Sequence, residues 1–111
     1  MSDLKDRHCR PYEGAAEGKL SPARVQELIG QVKGWGVDAD GAGIRREFKF
    51  PDFYRTMNFI NAVAWIANAE DHHPDVELGY NYARVRFSTH SVDGLSENDF
   101  ICAAKIDALV G

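Results

Sequence analysis

Three of the chain's four histidines lie in the segment EDHHPDVELGYNYARVRFSTH, which runs from Glu70 to His90. His72 and His73 are adjacent and precede Pro74, and His90 closes the segment. Imidazole titrates nearest neutral pH, so histidines brought to one place can both give and take protons in a reaction cycle. Three histidines can also hold a catalytic zinc with water in the fourth position. A single loop histidine is most often solvated or simply hydrogen bonded. No HxxxH or HxH spacing aims two rings from one element at a common point, and neighbouring residues in regular structure point apart. Spacing alone leaves acid/base, metal and structural readings open, and acid/base asks least of it.

The elements around the histidines decide whether they can meet. Val76, Leu78 and Tyr80 alternate on one side of GYNY, and Ala83, Val85 and Phe87 alternate on the other, which predicts a hairpin. A turn centred near residues 81–82 places His73 opposite His90, within a few ångströms by cross-strand geometry. His72 then sits one residue away at the exit of a long helix. Pro74 restricts His73 to extended backbone and fixes the direction of that exit.

The remaining chain reads as support. In SPARVQELIGQVKG, Ser21 is a good N-cap, Pro22 suits the first helical position, and Val25, Leu28, Ile29 and Val32 form a stripe ended by Gly34. Trp35 and Val37, then Ile44, Phe48 and Phe50, read as a second hairpin. Asp52 caps the longest helix, whose stripe is Phe53, Met57, Ile60, Ala64 and Ala67, widened by Phe59, Val63 and Ile66. Trp65 and the phenylalanines are expected in core or interface. Ser96 and Asp99 open a last helix as an S-x-x-D cap, with Cys102, Ala103, Ile106, Leu109 and Val110 as its buried stripe. The order α-β-β-α-β-β-α predicts an α+β domain, a four-stranded antiparallel sheet with helices packed on one face.

Bulk properties narrow the function classes. The 111 residues suffice for one domain. A net charge of −4 lacks the basic face of a nucleic-acid binder. No apolar run approaches the roughly 18 residues of a membrane span. The polar start MSDLKDRHCR has no apolar core for a secretory signal. Cys9 and Cys102 form no CxxC, which suits a reducing compartment, so a cytoplasmic location is expected. Residues 1–19 read as a flexible arm and 20–111 as the domain. Adjacent His8 and Cys9 are potential metal ligands without partners at ligand spacing.

The segment resembles the pterin-4a-carbinolamine dehydratase family. That signature is a charged residue, three spacers, His-His-Pro, five or six spacers, an aromatic residue, nine spacers, His, and a later Asp. Here His72-His73-Pro74 is followed after five residues by Tyr80, after nine more by His90 and after eight more by Asp99. Gly34-Trp35, REFKFPDF from Arg46, STH from Ser88 and GLSENDF from Gly94 agree as well, so the resemblance covers about residues 20–110. It departs at Asn68, where the family carries a charged residue.

The resemblance implies a hydro-lyase that dehydrates 4a-hydroxytetrahydrobiopterin in tetrahydrobiopterin recycling, with neither metal nor organic cofactor. His72, His73 and His90 are then the expected catalytic residues, with His72 and His90 read as the acid/base pair and His73 as the residue orienting the pterin. Asp71, Pro74, Ser88, Thr89, Ser91, Asn68 and Asp99 join His73 as its substrate-binding residues, although the S-x-x-D opening also explains Asp99 structurally. A homodimer or homotetramer is implied, without nucleic-acid or membrane contacts. The alternatives are a pterin-binding or transcription-cofactor-like interaction module, or action on a molybdopterin-related pterin.

Overall fold

The computed structural model describes residues 3–111. Its sheet has four antiparallel strands: β1 (Gly36–Val37), β2 (Ile44–Lys49), β3 (Asp75–Leu78) and β4 (Tyr82–Phe87), in spatial order β1-β2-β4-β3. The helices are a short α1 (Ala15–Gly18), then α2 (Pro22–Ile29), α3 (Phe53–Glu70) and α4 (Glu97–Val110). The expected α-β-β-α-β-β-α order is present, with α1 and two 3₁₀ turns, Leu4–Asp6 and His90–Val92, added.

Alternation gives the sheet two unlike faces. Ile44, Phe48, Ala83, Val85 and Phe87 point inward and are at most 4% exposed. Arg45, Glu47, Lys49, Arg84 and Arg86 lie on the other face, where Arg84 pairs with Glu47 and Arg86 with Asp38. Helices cover only the apolar face. From α3, Phe59 packs on Phe48 with ring centroids 4.5 Å apart; from α4, Phe100, Ile101, Cys102, Ala103 and Ile106 join the same core.

The caps form where the sequence places them. The Ser21 side chain accepts the Arg24 amide, Asp52 accepts that of Arg55, and Ser96 with Asp99 completes a capping box. Gly34 does not end α2, which stops at Ile29 with Gly30 as its C-cap; Gly34, at φ 76°, serves the turn into β1 instead.

Two stripes differ from expectation. On α3 the buried line is Thr56, Phe59, Val63 and Ala67, while Phe53 is 47% and Trp65 76% exposed. Apolar residues lie on several faces of this helix, and contact with the sheet selects one of them. Thr56 is accepted in the core because its hydroxyl donates to the carbonyls of Asp52 and Tyr80. On α4 the buried stripe stops at Ile106, and Leu109 and Val110 are exposed where the helix outruns its support.

From Leu4 onward the arm makes contacts with the domain. Leu4 is 6% and Tyr12 9% exposed, Arg7 pairs with Glu97, and the Lys105 ammonium donates to the Lys5 carbonyl. Its anchors are single residues without a period, so no helix or strand pattern announces them. Among the described residues no helix is long and apolar enough to cross a membrane.

Candidate functional site

The helix exit sets the first histidine. Asp71 ends α3 in the left-handed region, at φ 51° and ψ 44°, and its amide and that of His72 return to carbonyls of the last turn. Aspartate is one of the few residues that tolerates this conformation. The reversal turns His72 back toward the sheet, where its ring lies parallel to Phe87 with centroids 5.7 Å apart. His72 Nε2 is 2.6 Å from Asp99 Oδ1. The other carboxylate oxygen of Asp99 receives the Thr89 hydroxyl at 2.8 Å and the Ser96 amide at 3.0 Å. Asp99 is fully buried and acts on His72, with no surface of its own left for a ligand. The cap turns its carboxylate inward, onto His72, the Thr89 hydroxyl and the Ser96 amide.

The hairpin register corrects the expected pairing. Asp75 lies opposite Arg86 and Leu78 opposite Ala83, so the tight turn falls at Tyr80 and Asn81. Continued past Asp75, this register brings Ser88 rather than His90 opposite His73. The expected centre was off because GYNY offers several turn positions with similar chemistry. His90 instead starts the 3₁₀ turn His90–Val92, held by the Thr89–Gly94 bridge and by fully buried Val92, with its own side chain exposed. His73 is also exposed, and its Nε2 lies 3.0 Å from Asn68 Oδ1. Asn68, in the last turn of α3, thus contacts the second histidine.

A cleft of about 350 Å³ opens beside His72. Of the expected site residues it gathers Asp71, His72, Thr89 and Ser91; Asn68, His73, Pro74, Ser88, His90 and Asp99 are outside its lining. The arm supplies the rest of the wall through Cys9, Arg10, Pro11 and Tyr12, together with Glu70 and Asn98. A larger depression of about 600 Å³, lined by Lys5, Lys33 and Asp107 among others, holds none of the candidate chemistry.

The arm's contribution was missed in the sequence. The only signal for it was the concentration of Pro, Tyr and Cys in HCRPYEG, which has no period. Two polar residues hold it in place. Glu70 accepts the Cys9 amide at 2.7 Å and meets His8 Nδ1 at 2.9 Å. Desolvation alone would raise this carboxyl, but the Cys9 amide, His8 and Lys105 outweigh it and bring Glu70 below the usual carboxylate range. Asn98 donates to the Arg10 carbonyl and accepts the Arg10 amide. Among the described residues no group of three or more His, Cys, Asp or Glu is placed to hold a metal ion.

Residues 18–109 match the family model described as pterin 4 alpha carbinolamine dehydratase. The chain belongs to that family. A Legionella pneumophila (strain Corby) protein with a provisional pterin-4-alpha-carbinolamine dehydratase name is 52% identical over 110 residues, covering 98% of this chain and 96% of its own. A similarly named protein of Xanthomonas campestris pv. campestris (strain 8004) is 54% identical over 106 residues, covering 96% and 89%.

Among solved structures, a transcriptional coactivator/pterin dehydratase from Brucella melitensis superposes with a TM-score of 0.80 at 34% identity, over 83% of this chain and 98% of that one. A pterin dehydratase-like protein described as a RuBisCO assembly factor in the alpha-carboxysome shares the fold. Its TM-score is 0.62 at 24% identity, over 69% of this dehydratase-family chain and 89% of its own.

Proposed function

We propose that this chain dehydrates a 4a-hydroxytetrahydropterin to the quinonoid dihydropterin and water, as a step in tetrahydrobiopterin recycling. The observation that carries the reading is His72, bound to the buried carboxylate of Asp99 at 2.6 Å on the wall of a cleft. A carboxylate behind an imidazole fixes its tautomer and ring orientation. With Nε2–H directed to Asp99, Nδ1 of His72 is the nitrogen available to exchange a proton with a ligand.

The reaction needs two proton transfers. A protonated imidazole gives its proton to the 4a-hydroxyl, the C4a–O bond breaks, and water leaves. The electron pair of N5 forms the C=N bond, and the N5 proton passes to a neutral imidazole. His72 and His90 are assigned to these two transfers. Thr89, the residue before His90, is bonded to the same Asp99 that holds His72, so one carboxylate ties both histidine-bearing segments together. His73, steadied by Asn68, is assigned to the pterin ring, with Asp71, Pro74, Ser88, Thr89 and Ser91 as further contacts. The unpaired edge of β3, where Val76 and Leu78 are each 39% exposed, and Tyr54 and Trp65 on α3 support assembly as a homo-oligomer.

The deciding experiment is stopped-flow dehydration of freshly generated 4a-hydroxytetrahydropterin in EDTA. The wild-type chain accelerates it, and His72→Ala and His90→Ala each lose roughly 10²–10⁴-fold in kcat. Pterin binding without acceleration would refute the enzymatic reading and favour a binding module.

A further inference from the structure

The chain has two cysteines, 93 positions apart, and the fold brings their sulfurs to 3.5 Å. Cys102 is fully buried in α4, while Cys9 is half-buried on the arm wall of the cleft. The backbone around Cys9 is fixed on both sides. Its own amide is held by Glu70 at 2.7 Å, and the next residue, Arg10, is clasped by Asn98 through bonds of 3.1 and 2.7 Å. Farther out, Leu4 is packed in the core. The sulfurs therefore face each other as a consequence of arm docking.

We propose that Cys9 and Cys102 form a disulfide under oxidising conditions, which clamps the N-terminal arm to α4 and fixes the arm wall of the His72 cleft. Bond formation needs an approach of about 1.5 Å from the present separation, within reach of side-chain rotation and a small arm shift. In the reduced protein the pair shares a thiol–sulfur contact. That contact, then burial, pushes the Cys102 thiol up, so it is the poorer first nucleophile.

Cys9 reacts first. Its thiolate attacks a sulfur of a small-molecule disulfide such as oxidised glutathione, forming a mixed disulfide and releasing one small thiol. Cys102 then attacks the Cys9 sulfur and releases the second. The two protein thiols lose two protons and two electrons, and the small disulfide gains both as two thiols. The clamp closes a loop spanning most of the chain, so it restricts the unfolded ensemble strongly.

The test needs no pterin and stands apart from the dehydratase reading. The full-length chain is reduced, exchanged into oxidised glutathione, and followed by intact mass, non-reducing peptide mapping, thermal melting and trypsin digestion. The expected product has lost two hydrogens and yields one peptide linking Cys9 to Cys102. It melts roughly 10 °C above the reduced form. Trypsin cuts after Lys5 and Arg7 about tenfold more slowly than in the reduced protein. Cys9→Ser, whose exchange lies at the less buried partner, shows none of these changes, and Cys102→Ala is the second control. A stable glutathione adduct on Cys9, a disulfide between chains, or an unchanged mass would overturn the proposal. So would a Cys9–Cys102 bond that leaves the tryptic rate unaltered.

Discussion

His72 Nε2 and Asp99 Oδ1 are 2.6 Å apart, and the same carboxylate caps the first turn of α4 through the Ser96 amide. One buried group therefore serves both a helix and a histidine, and two substitutions separate the services. Asp99→Asn keeps the volume but loses the charge behind His72, and kcat falls about 10–100-fold with little change in KM. Ser96→Ala removes the capping hydroxyl but leaves the His72 contact, so it loses about 1 kcal/mol of stability and keeps its turnover. Urea unfolding alongside stopped-flow rates reads both. Equal activity losses in the two variants would mean that Asp99 acts only through the fold.

Asn68 occupies the position where the family pattern carries a charge, and its amide oxygen lies 3.0 Å from His73 Nε2. An amide oxygen accepts that N–H as a carboxylate would. Asn68→Asp therefore retains the contact and leaves KM for the pterin within about twofold. Asn68→Leu removes it and raises KM roughly fivefold, the equivalent of one hydrogen bond near 1 kcal/mol. Steady-state kinetics of the two variants decide the matter, and an unchanged KM in the leucine variant would release His73 from the ring-orienting role.

Elements whose signals are local were legible in the sequence. Ser21, Asp52 and Ser96 cap the helices they were expected to cap, and the two hairpins fall where alternation places them. What failed depended on tertiary selection. Phe53 and Thr56 sit one helical turn apart on α3, and hydropathy favours burying the phenylalanine; contact with the sheet buries the threonine, whose hydroxyl finds two carbonyls. The His73–His90 pairing failed because a turn misplaced by one residue changes every cross-strand partner. Asp99 could be read as a cap, but its contact with His72, 27 residues away, has no periodic signature.

The lowered Glu70 carboxyl gives the arm a pH dependence. A native carboxyl below its unfolded value contributes stability that is fully present above the unfolded value and is lost as pH falls through the native one. Glu70→Gln keeps an oxygen for the Cys9 amide but loses the charge that meets His8 and Lys105. At neutral pH the wild-type chain is more stable than this variant by about 1–2 kcal/mol. The gap closes between about pH 6 and about pH 3 as the wild-type carboxylate is protonated. Thermal melts of both chains across that range measure it; a constant gap would show that Glu70 acts through shape instead of charge.

Asp107 joins three segments without touching any candidate site residue. Its carboxylate accepts the Trp35 indole N–H at 2.8 Å, the Lys33 amide at 2.8 Å and the Arg46 guanidinium at 2.6 Å. Trp35 is 6% exposed, so removing the acceptor strands a donor that water reaches poorly. Asp107→Ala accordingly loses roughly 2–3 kcal/mol, seen as a lower urea midpoint with an unchanged slope. Its dehydration rate at a temperature where both chains are folded matches the wild type. A fall in kcat there would show that the Trp35 side of the core communicates with the His72 cleft through α4, which carries both Asp99 and Asp107.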